Sequence, residues 1–244
     1  FMWALFKKEI SSFLNSLIGY VVIIVFLLLN GLFIWIFPGD MNVLDMGYAT
    51  LDGLFSIAPW VFMFLIPAIT MRMIAEEKRN RTLELLVTRP ITDFQIVISK
   101  FLAGISLVII SLIPTLVYYF CVYYIGETEG NIDRGGTLGS YLGLIFLAGG
   151  YVSMGIFSSS LSENQIVAFL LAVVMCLFMF IGWESISDFS QLGGLESYVI
   201  GIGINDHYKS VSRGLLDSRD VLYFIALIGV FLLGTVTVLK SRTW

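Results

Sequence analysis

Six runs of roughly 20 residues, with no charged side chain in their interiors, dominate the chain: 18–37, 54–74, 101–123, 139–161, 166–183 and 221–239. A helix needs about 20 mostly apolar residues to cross a hydrocarbon core. Lipid offers the backbone no hydrogen bonds, so only helices and closed barrels span it. A barrel strand would alternate apolar and polar residues, and these runs are unbroken. The sequence therefore predicts an all-α polytopic membrane protein with six transmembrane helices. Composition agrees, because 13% of the residues are charged against about 25% in a soluble domain. The first run is too long for a cleaved leader, and Phe37-Pro38-Gly39-Asp40 is not a small-residue cleavage site.

Lysine and arginine set the orientation. With the N-terminus inside, the inner segments hold Lys7, Lys8, Arg72, Lys78, Arg79, Arg81, Arg89, Lys100, Lys240 and Arg242, ten of the fourteen. Trp35, Trp60 and Trp183 fall at outer span ends, and Trp3 and Trp244 at inner ends, as an aromatic belt requires. The expectation is a multi-pass protein of the inner (cytoplasmic) membrane with both termini cytoplasmic.

Residues 1–17 read as an amphipathic interfacial helix. Trp3, Phe6, Ile10, Phe13, Leu14 and Leu17 share one face, and Lys7 and Lys8 on the other suit anionic headgroups. A helix packed on the protein itself is the compatible alternative. In the fourth run, Gly139 and Gly143 form a GxxxG pair and Ser158-Ser159-Ser160 closes the span. Small residues let helix backbones approach closely, within one chain or between subunits. Pro67 and Pro114 should kink their spans, and Asn30 is expected to bond across to another helix. Cys121 and Cys176 read as small core residues.

Two polar segments remain. Residues 75–96 form a charged inner loop, in which Thr82-Leu83-Glu84-Leu85-Leu86 reads as a short helix with a Thr cap, stopped before Pro90. Its Leu83, Leu85 and Leu86 form an apolar edge suited to docking, although a charged loop is commonly just solvated. Residues 184–220 form an outer segment of short amphipathic helices broken at Gly193-Gly194 and Gly201-Ile202-Gly203. There is no GxxxxGK[ST] phosphate loop. The single histidine, His207, has no companion suited to zinc, and Ser153 lacks GxSxG spacing. No catalytic, cofactor or metal residue is expected. The spans also lack the buried acids of ion-coupled carriers, so any driving force should come from a partner.

The inner loop resembles that of type-2 ABC exporter permeases, the ABC-2 family. The similarity lies in Glu76-Glu77-Lys78-Arg79, then Thr82 to Leu86, then Arg89-Pro90-Ile91, then Lys100. Arg81 departs from the family, where Gly often precedes the Thr. The resemblance implies a coupling helix that docks into an ATPase, with Glu76, Arg79, Thr82, Leu83, Glu84, Leu85, Leu86 and Arg89 as the docking residues. It implies that residues 1–17 are a connecting helix, with Trp3, Phe6, Lys7, Lys8 and Ile10 at the interface, and that 184–220 is re-entrant. Around His207, Arg213, Asp217, Arg219 and Asp220 the sequence resembles the gliding-motility-associated permeases of Bacteroidota. Such a complex has two ATPase subunits that bind ATP and Mg. It also has a second permease-like subunit with a large outer domain, or a second copy of this chain. Membrane lipids are expected around it, and no nucleic acid. The function implied is ATP-driven export or service to gliding-motality and secretion machinery; the alternatives are a mechanotransmission or scaffold subunit without cargo, and an autonomous channel.

Overall fold

The computed structural model describes residues 2–83, 91–126, 131–189, 196–214 and 217–241. Among these the regular structure is helical, with no strands. Six helical stretches are long and apolar enough to cross a membrane: Leu17–Trp35, Asp52–Arg79, Asp93–Ile125, Arg134–Leu161, Gln165–Ser187 and Ser218–Lys240.

Helix α1 (Met2–Leu14) lies across one end of the bundle. Its inward residues are Leu5, Glu9 and Phe13, spaced four apart on one face. Trp3 stays 61% exposed and stacks on Phe6 with ring centroids 4.9 Å apart. The helix thus packs on the protein and keeps an outer amphipathic face. The inward stripe differs from the face expected, since it includes Leu5 and an acid. Ser16 caps α2 (Leu17–Trp35) by accepting from the Gly19 amide.

Helix α3 (Asp52–Thr70) leads through a turn into the short α4 (Ala75–Arg79). Helix α5 (Asp93–Leu112) starts at a capping box between Thr92 and Gln95. It passes through a 3₁₀ turn at Ile113–Thr115, which contains Pro114, into α6 (Leu116–Ile125). At the centre lies α7 (Arg134–Leu161), which packs on α3, α5 and the two spans that follow it. Its glycines also let the segment at 211–214 approach closely. A Cβ at Gly143 would stand 2.9 Å from Val211, and one at Gly139 2.8 Å from the Gly214 backbone. The GxxxG pair is thus used within the chain.

Helix α8 (Gln165–Leu177) widens into a π turn at Phe178–Gly182 before α9 (Trp183–Phe189). Two further short helices follow, α10 (Glu196–Ile200) and α11 (Ile204–Val211), and then the last span, α12 (Ser218–Lys240).

Pro59 has no N–H to offer the Phe55 carbonyl four residues earlier. The Tyr208 hydroxyl of α11 donates to that carbonyl at 2.6 Å, which fastens the outer segment to α3. Asn30 corrects an expectation. It is fully buried but donates to Phe26 O of its own helix at 2.8 Å, and its Oδ1 has no hydrogen-bond partner among the described residues. The i−4 carbonyl lies within reach of the amide, so the side chain bonds back along its own helix.

Candidate coupling site

The turn between α3 and α4 is held from three sides. Ser159 of α7 accepts from the Ile74 and Ala75 amides, each at 3.0 Å, and donates to Met71 O at 2.9 Å. One hydroxyl thus satisfies two orphan amides at the start of α4 and one carbonyl before it. The Lys78 ammonium donates to Ser160 O. Arg72 donates to Ser16 Oγ at 3.0 Å and lies 4.4 Å over the Phe13 ring, tying the turn to the corner between α1 and α2.

Lys100 of α5 is the third hold, and it is fully buried. Its Nζ lies 2.6 Å from Met73 O, 3.0 Å from Glu9 Oε1 and 2.9 Å from Glu77 Oε2. The ammonium donates to Met73 O and to Glu9 Oε1, and Glu77 Oε2 completes the set as an ion-pair contact. Lys8 adds a contact of 3.3 Å to Glu77 Oε1. Burying an unpaired charge is costly, and this set balances two cations against two carboxylates. The spans were expected to hold no buried acids. Glu9 and Glu77 are buried, at the end of the bundle and not at its middle, because α1 and α4 fold over them. From sequence, Glu77 entered only as part of the Glu76-Glu77-Lys78-Arg79 run, and Glu9 not at all. The available signal was Glu9, a lone acid midway between Leu5 and Phe13.

Of the residues expected to dock, those that the structure describes lie beside this clasp. Glu76 is half-buried and Arg79 exposed. Arg81 takes a left-handed backbone with φ 54°. Thr82 is exposed, and its hydroxyl donates back to Glu77 O at 3.4 Å. Leu83 corrects the expected apolar edge: it is 5% exposed and belongs to this chain's own core. Glu84, Leu85, Leu86 and Arg89 lie outside the described residues. A polar cleft of about 190 Å³ opens between α1 and α4, with Lys8, Ser12, Arg72, Glu76, Asn80 and Thr82 on its walls.

At the opposite end, His207 lies between two acceptors, Asp220 Oδ1 at 2.6 Å and Gly201 O at 2.9 Å. Its ring stacks on Tyr223 at 3.9 Å, and the Tyr223 hydroxyl donates to Ile202 O at 2.6 Å. Burial pushes the Tyr208 phenol well above its ordinary range. Asp217 caps α12 through the Arg219 amide, while the Arg219 and Arg213 side chains are exposed. The structure brings His207 and Asp220 together and leaves Arg213, Asp217 and Arg219 outside that pair. An open cleft of about 570 Å³ lies between α3, the π turn and α11. Phe55, Trp60 and Phe180 line one part, and Asp52, Lys209 and Arg213 another.

Six helical stretches long and apolar enough to cross a membrane, clasped by paired charges at one end, are the architecture of a multi-pass membrane protein. The family model described as ABC-2 family transporter protein matches residues 41–192, well over half of the chain. No curated protein matches. The chain belongs to the ABC-2 transporter family and is a transmembrane permease subunit of an ABC transporter, a membrane part that is not itself catalytic.

Proposed function

We propose that a separate ATPase, which binds ATP and Mg, docks on residues 75–96 and drives this permease as an exporter. The supporting observation is the clasp. Ser159, Lys78 and Lys100 fix the root of that loop to α7 and α5, while Glu9 and Lys8 tie it to α1. A loop anchored this firmly can pass a push into the bundle, whereas a free loop would absorb it. ATP closure of the motor would supply the differential affinity that shifts the two conformations.

Ten of the fourteen Lys and Arg side chains fall on the segments expected to be cytoplasmic, which supports both termini inside and an inner-membrane site. The assembly proposed has two ATPase subunits with either a second permease-like subunit or a second copy of this chain. The outer residues around His207 support service to gliding-motility or secretion machinery. The scaffold reading draws on the outer segment, pinned through Tyr208 and His207.

The test is Glu84→Ala with Leu85→Ala in the complex purified with its co-purifying subunits. The expected result is normal membrane insertion with ATP hydrolysis uncoupled. ATPase binding and activity equal to wild type would defeat the docking assignment.

A further inference from the structure

We propose that Lys100 is a positioning residue for coupling, joining α1, the root of α4 and α5 into one body that moves together. The consequence for coupling rests on the docking reading above, but the junction itself does not.

The three oxygens around Nζ come from different places: Glu9 from α1 and the Met73 carbonyl from the turn accept hydrogen bonds, and Glu77 from α4 makes an ion pair. The donor comes from the start of the third span. Sliding any one of these elements by the width of a hydrogen bond would leave the fully buried Lys100 ammonium short of a partner. The elements therefore cannot shift independently at low cost. Only Asn15 and Ser16 separate α1 from α2, so a displaced α1 must also move the end of the first span. A push at α4 then reaches the first and third spans as well as the second. Helix α1 is part of the moving body and not a float on the membrane surface.

The experiment uses the full chain in lipid nanodiscs, with Cys121→Ala and Cys176→Ala removing the native thiols. Spin labels at Ser12 and Asn80, exposed residues on the α1 and α4 walls of the polar cleft, report the separation of the two elements. Lys100→Met alone strands two buried carboxylates and invites misfolding. The variants read are therefore Glu9→Leu, which leaves Lys100 its Glu77 partner, and the neutral triple Glu9→Leu, Glu77→Gln, Lys100→Met. Expected is a thermal midpoint close to wild type with a distance distribution roughly twice as broad, because the junction opens locally. Wild-type widths in both variants overturn the proposal. Adding the ATPase gives a second arm. ATP should leave the Ser12–Asn80 distance nearly unchanged in wild type, where the two elements move together, and shift it in the variants, where α4 can move without α1. If the ATPase does not bind the wild-type chain, the docking reading falls while the width measurement still decides the junction.

Discussion

Arg81 holds φ 54°, a region that costs an L-residue about 1–2 kcal/mol and glycine almost nothing. The ABC-2 resemblance puts Gly at this place, and the backbone shows why: the chain reverses between α4 and Thr82. Arg81→Gly should stabilise the protein by about 1 kcal/mol, read as a higher thermal midpoint in detergent. A second residue-scale prediction concerns Tyr208. Its bond exists because Pro59 leaves the Phe55 carbonyl free. Tyr208→Phe should cost about 1–3 kcal/mol in wild type and clearly less when Pro59→Ala restores the competing N–H. A double-mutant cycle measures the difference, and equal costs in both backgrounds would sink the argument. At 81 the resemblance marked only a departure from glycine, and the left-handed backbone that explains it came from the structure. The Tyr208 contact was not legible in the sequence, since it spans 153 positions and no periodicity reports it.

Among the elements, α7 carries the tightest constraint. A Cβ at Gly155 would overlap Thr70 of α3, and Thr70 is buried with its hydroxyl committed to Ile66 O at 2.9 Å. Gly155→Ala should therefore destabilise by about 1–3 kcal/mol through overpacking, seen as a lower midpoint. Gly229 meets nothing within 4 Å, so Gly229→Ala should leave the midpoint unchanged or slightly higher. Glycine composition alone marked α7 as a packing helix. Which glycines are indispensable depends on what lies opposite, and helix neighbours are not written locally. The same holds for α1. Its amphipathic spacing was readable, but the rotation that turns Glu9 inward follows from the Lys100 ammonium waiting there.

For the whole molecule, hydropathy alone outlined the six spans, because the bilayer imposes a length that any apolar run reveals. Their arrangement needed the structure. The central span Arg134–Leu161 is 78% buried, while Leu17–Trp35, Gln165–Ser187 and Ser218–Lys240 are 22–28% buried. Those three spans face lipid or other subunits. Single cysteines at Asn80 and Lys209, at opposite ends, should react with a membrane-impermeant thiol reagent from opposite sides. Asn80 should react only from the cytoplasmic side, and labelling of both from one side would refute the orientation proposed.

The π turn at Phe178–Gly182 amounts to one residue more than an α-helical turn needs. It works as a shim, letting the lower half of the fifth span keep its own register while Phe180 rotates against Trp60 at 5.6 Å. Deleting Met179 would remove that extra residue, so ordinary winding would return with the helix on either side in nearly its present phase. The bond from Asn205 to Glu184 at 2.8 Å should then survive, whereas a residue inserted within α8 would turn Glu184 by about 100°, one residue's share of a turn, and break it.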